Sequence, residues 1–166
     1  LYRSLRPYGG KAYLPGSQEA HEQVTKIVEA GGLPESKLKR DAGITRITRA
    51  GALTGSANWT HEYGDAANSL TSADELVKAP LGVLWFGGPA ASGELFYNRH
   101  YWAPSLAVID GRMFLEGPQV FAAIDVYTGR VLWKIKLPEG TSPGRRGNFF
   151  EKVRVGFHYV VASDFI

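Results

Sequence analysis

Four places in the chain gather residue types that could do chemistry. His61, Glu62 and Asp65 bring an imidazole and two carboxylates close together, the raw material of a metal site. Their spacing is not that of a His-Glu-x-x-His helix and no second His lies nearby, so a solvated or hydrogen-bonded strand lead-in is expected there. Asn98-Arg99-His100-Tyr101-Trp102 is the most chemically loaded run, and it predicts a loop held by buried aromatic anchors. Gly144-Arg145-Arg146-Gly147 offers two guanidinium groups to an anion, but an isolated basic loop tip is normally just solvated. Asp125 could be read as an acid or a ligand, yet it stands before a Thr-Gly turn, where Asp usually accepts bonds from backbone amides. The chain has no Cys, which removes thiolate metal sites, Cys nucleophiles and disulfides. It also lacks a Gly-x-Ser-x-Gly elbow, a P-loop and a dinucleotide fingerprint. No catalytic, cofactor-binding or metal-binding residue is assigned.

The elements that must position these groups come in two textures. Over its 166 residues the chain is 44% hydrophobic and 21% charged, the composition of a folded globular protein. No apolar run approaches the ~20 residues of a membrane helix. A net charge of +3 gives no nucleic-acid footprint. Its distribution is uneven, with nine Lys/Arg against five Asp/Glu in residues 1–53 and ten against eleven in 54–166. A boundary is expected between Arg49 and Asn58, at Gly51 and Gly55-Ser56. The start at Leu1-Tyr2-Arg3 without Met, and the stop at Asp164-Phe165-Ile166 inside an apolar run, read as a piece of a larger protein.

In residues 1–53, Arg6-Pro7-Tyr8-Gly9-Gly10 is a stop signal. A short run over 11–14 then reads as a buried strand, ended by Pro15-Gly16. Ser17 is a good helix N-cap, Glu19 and Glu22 suit the first turns, and Ala20, Val24, Ile27 and Val28 make one apolar stripe. Gly31-Gly32 closes the helix. Two β-like runs over 36–40 and 44–49 follow, joined at Asp41-Ala42-Gly43. This order resembles the C-terminal third of a class I S-adenosylmethionine-dependent methyltransferase. In that family a Leu-x-Pro-Gly-Gly-like turn precedes the fifth strand, a helix follows, and an antiparallel hairpin closes the sheet. Leu5-Arg6-Pro7-Tyr8-Gly9-Gly10 matches with one inserted Tyr. The family's cofactor loop and acidic residue have no counterpart here, so the segment is expected neither to bind S-adenosylmethionine nor to methylate.

Residues 54–166 change to strands, turns and aromatics, with all four Trp (Trp59, Trp85, Trp102, Trp133). Strands are predicted over 105–109, 112–116, 120–126 and 130–137, with turns at Asp110-Gly111, Gly117-Pro118 and Tyr127-Thr128-Gly129. Val131, Trp133 and Ile135 are expected on one face of the last strand. A further pair is expected over 153–157 and 159–162, and Ser72-Ala73-Asp74-Glu75 could open one helical turn.

The sharpest motif lies inside this unit, from Ala123-Ile124-Asp125 through Thr128-Gly129 to Trp133. It is similar to the tryptophan-docking motif of quinoprotein (PQQ-like) β-propellers, Ala-x-Asp-x-x-Thr-Gly-x-x-x-Trp, with every defined position filled. Ala123 would leave room for a neighbouring surface, Asp125 and Thr128 would hold turn amides, Gly129 would take positive φ, and Trp133 would supply a broad packing face. Trp59 to Asn68, leading on through Leu76-Val77 to Leu84-Trp85, is similar to the lead-in of the same families. The resemblances imply a mixed fold, an α/β remnant and then an all-β partial propeller of four-stranded antiparallel blades. They imply a binding or scaffold module with no cofactor of its own in this chain. An S-adenosylmethionine-dependent parent is the alternative, and a PQQ-dependent dehydrogenase a further one. PQQ itself is not expected, because the motif packs blades and does not hold the quinone. Expected partners are an unidentified protein or small molecule, with no nucleic acid and no membrane span. The methyltransferase reading implies a cytoplasmic setting and the propeller reading a periplasmic one.

Overall fold

The computed structural model describes residues 1–61, 63–88, 95, 106–117 and 120–138. Over the described residues the chain is mostly β, with two antiparallel sheets of three and four strands and one α-helix, and it divides into two compact units, Leu1–Ser56 and Ala57–Ile166.

The first unit opens with a 3₁₀ turn, Tyr2–Ser4, and continues as β1 (Gly10–Pro15), α1 (Gln18–Ala30), β2 (Ser36–Asp41) and β3 (Ile44–Arg49). The Ser17 side chain caps α1 by accepting from the Ala20 amide at 3.3 Å. β2 and β3 form a hairpin through Ala42 and Gly43, both at positive φ (44° and 79°), the backbone a two-residue turn of this hand needs. The sheet order is β1-β3-β2, so β3 lies between the strands that the helix connects.

Two expectations need correction. The 11–14 run is not buried: its strand alternates half-buried and exposed, with Tyr13 58% exposed. The helix stripe loses Ile27, which is 68% exposed, because the inward face runs through His21, Val24, Thr25 and Val28. Those four follow the i, i+3, i+4, i+7 rule, whereas Ile27 lies a position off it. His21 Nδ1 meets the buried Thr45 hydroxyl at 3.0 Å, and Ile47 sits beside Thr45 on the covered face. The Tyr2 phenol, donating to the Pro34 carbonyl and lying under the Arg49 guanidinium at 5.4 Å, ties the opening turn to the sheet. Burial raises its pKa, Arg49 pulling the other way and Glu35 adding to the rise.

The second unit is a meander of β4 (Leu106–Ile109), β5 (Arg112–Glu116), β6 (Val120–Asp125) and β7 (Val131–Lys136), paired in that order. The Asp110-Gly111 turn has both residues at positive φ (50° and 72°). Both faces of the sheet are apolar. One carries Met113, Leu115, Val120, Ala122 and Ile124 with Leu95 over them; the other carries Ala107, Ile109, Phe114 and Ala123. Val131 and Trp133 do not share a face as expected. Ala123 pairs with Trp133 and Ile124 with Val131, so Leu132 is an extra residue, a β-bulge. The bulge sends Val131 to the first cluster and Trp133 to the second. Ile135 follows Trp133 in register but remains 56% exposed.

Trp59 bridges to the β4 edge, where it and Val108 exchange backbone hydrogen bonds of 2.7 and 2.6 Å. Ser72 to Glu75 form no helical turn. The Asp74 carboxylate instead accepts from the Leu76 and Val77 amides at 2.7 and 3.0 Å, a local bond that competes with helix.

These faces predict opposite outcomes for two substitutions in the first sheet. Ile47→Ala should cost ~2–5 kcal/mol in urea unfolding, from lost burial and the cavity left. Tyr13→Ala, on the open face, should change stability by no more than about 0.5 kcal/mol.

Candidate functional site

The best-formed site is the turn between β6 and β7 and the indole seated on it. Asp125, only 1% exposed, closes the turn through its backbone. Its N–H donates to the Arg130 carbonyl at 2.8 Å, and its carbonyl accepts from Gly129 at 2.8 Å and Thr128 at 3.3 Å. Its carboxylate accepts from the Tyr127 amide at 3.0 Å, while the Thr128 hydroxyl accepts from the Arg130 amide at 3.4 Å. The Val126 amide donates to the Gly111 carbonyl at 3.0 Å, which joins this turn to the Asp110-Gly111 turn beside it. Asp110 is fixed in turn, its amide donating to Asn58 Oδ1 at 3.2 Å.

Trp85 lies on this platform. Its indole Nε1 donates to the Val126 carbonyl at 2.8 Å. Gly129 has φ +69°, and a Cβ added there would stand 2.5 Å from Cε3 and 2.7 Å from Cδ2 of the Trp85 ring. Glycine is thus required twice, by the backbone conformation and by the ring above it. A buried indole N–H needs an acceptor, and a turn carbonyl held from several sides provides one at little cost in order. The chemistry of this arrangement is recognition of a flat aromatic donor.

The motif residues Ala123, Asp125, Thr128, Gly129 and Trp133 fall into two groups. Asp125, Thr128 and Gly129 build the seat for Trp85. Ala123 and Trp133 are cross-strand partners on the second face, where Trp133 is tilted 55° to Phe114 and Phe121 at centroid distances of 6.0 and 5.7 Å. That geometry is the favourable tilted packing of aromatic rings. Trp85 was the residue that sequence reasoning passed over as a seat-filler. A signal was available: Val83-Leu84-Trp85 repeats Val131-Leu132-Trp133.

His61 and Asp65 do not converge on a ligand position. His61 Nδ1 meets the Thr60 hydroxyl at 2.9 Å. Asp65 accepts from the Ser69 hydroxyl and amide and from the Ala67 amide. Among the described residues no group of three or more His, Asp or Glu could hold a metal ion. Glu62 and the runs 98–102, 144–147, 153–157 and 159–162 lie outside the described residues. Among the described residues no helix is long and apolar enough to cross a membrane.

Two measurements follow. Gly129→Ala should displace Trp85, red-shifting its emission and costing more than the ~1 kcal/mol usual for glycine replaced at positive φ. Acid should loosen the 57–77 segment. The Ser69 hydroxyl holds the Asp65 carboxyl below the usual range, and the Leu76 amide does so for Asp74 despite partial desolvation. A folded-state pKa below the unfolded one stabilises above the ordinary carboxylate pKa and is lost as pH falls through the depressed value. Amide resonances of Ser69 and Leu76 should therefore hold steady down to about pH 4 and shift only below it.

The chain matches no known family, no curated protein and no solved structure.

Proposed function

We propose that residues 54–166 belong to a β-propeller of the quinoprotein (PQQ-like) repeat type and act as a binding or scaffold module. Residues 1–53 are then the C-terminal part of a class I methyltransferase-like domain. The observation that carries this reading is the seating of Trp85 on the Asp125–Arg130 turn. A tryptophan from outside the four-stranded sheet rests on the glycine of an Ala-x-Asp-x-x-Thr-Gly turn, the kind of packing between repeats that the motif implies. Trp133 occupies the same place in its Val-Leu-Trp tripeptide and is the candidate for the same role on a further repeat. A four-stranded meander with two apolar faces supports the reading too, since a sheet stacked between neighbours must bury both sides. For the first segment, the support is the order of strand, helix and antiparallel hairpin.

Under this proposal the motif residues pack and do not react, and neither S-adenosylmethionine nor PQQ binds the 166-residue chain. Calorimetric titration with each compound should give only heats of dilution; micromolar binding of either would overturn the reading. Trp133→Ala should cost about 3 kcal/mol through lost aromatic packing, and Asp125→Ala on the order of 1–3 kcal/mol through stranded turn amides. A Trp133→Ala protein of unchanged stability that had lost a ligand would make this residue part of a binding site instead.

A further inference from the structure

Four of the first unit's cations gather on one face of its sheet, while Lys26, Arg40 and Arg49 lie on the side that α1 covers. The ladder of β1, β3 and β2 sets Lys11, Thr48 and Lys37 in one cross-strand row, Tyr13, Arg46 and Lys39 in the next, and Pro15, Ile44 and Asp41 in the third. Lys11, Tyr13, Lys37, Lys39 and Asp41 are exposed and Arg46 is half-buried, so this is the open face of the sheet. It carries four cations against the single carboxylate of Asp41. Glu19, Glu22 and Glu29 all lie on α1, which covers the opposite face. The small net charge of the whole chain conceals this cluster of cations.

Two further features concern what would lie on the face. Tyr13 is 58% exposed in the middle row, and its cross-strand partner is Arg46. Tyr13, Lys39, Asp41, Ala42, Ile44 and Arg46 line a depression of about 160 Å³. Arg46 Nε is buried there and has no hydrogen-bond partner among the described residues. An exposed ring and a guanidinium plane among lysines match a ligand with flat rings and repeated negative charge.

We propose that the open face of this three-stranded sheet binds single-stranded nucleic acid. Phosphates lie along Lys11, Lys37, Lys39 and Arg46, and one base stacks on Tyr13. Bases in a duplex are already stacked on each other and present no ring face to a flat sheet, which selects the single strand. An acidic peptide would satisfy the cations but leave the ring uncovered. This inference does not depend on the propeller reading, because it uses only residues of the first unit.

The test is fluorescence anisotropy of a labelled eight-nucleotide oligouridylate with the 166-residue chain. With about four phosphates neutralised, affinity should fall about 50-fold between 50 and 200 mM salt. Lys37→Glu combined with Lys39→Glu should abolish binding, and Tyr13→Ala should weaken it about tenfold, both with unchanged thermal unfolding. Absence of saturable binding at 50 mM salt would overturn the proposal. So would undiminished binding by the charge-reversed variant, or equal affinity for an oligoglutamate of the same charge.

Discussion

A turn of six residues, Asp125 to Arg130, sets the geometry of the second unit, because one backbone carbonyl in it must face outward and stay there. The Val126 oxygen receives the Trp85 indole only while the peptide carrying it is fixed. Asp125 fixes it through both its main chain and its carboxylate, and Gly129 keeps the space above it open. The same turn delivers β7 back against β6, and its link to Gly111 aligns it with the adjacent hairpin. Strand return, hairpin alignment and indole seating thus share one set of hydrogen bonds. Disturbing one disturbs the others, which is why a buried carboxylate is tolerated at Asp125.

Much of this was legible in the sequence, and the reasons are local. Turn residues such as Asp110-Gly111 and Gly43 announce themselves, because few side chains accept positive φ. Strand existence in both sheets and the hairpin pairings followed from those punctuation marks, whereas the β1-β3-β2 order of the first sheet did not. What period-2 patterning could not supply was the face of Trp133. A bulge adds one residue without altering composition, so Val131-Leu132-Trp133 looks like ordinary alternation while serving two faces. The missed seat of Trp85 has a different cause. Its partners are a main-chain oxygen and a glycine, and neither leaves a side-chain signature 41 positions away.

The first unit shows the converse limit. Whole-chain charge averages over faces, whereas a β-ladder sorts residues by parity. Lys11, Lys37, Lys39 and Arg46 come together only once the register of three strands is known. The buried-strand expectation for 11–14 failed for the same reason: Ala12 and Leu14 are inward, but Lys11 and Tyr13 between them are not. Four residues are too few for apolar content alone to separate a half-buried strand from a buried one.

The bulge at Leu132 also bears on how the protein behaves among other chains. Among the described residues β7 is the last strand of its sheet in the pairing order, and it is rich in apolar residues. A regular edge of that kind invites the strands of unrelated molecules and seeds aggregation. A one-residue irregularity breaks the even repeat that an incoming strand must match. The residue that lets one strand serve two faces therefore also makes that strand a poorer template for another to pair with.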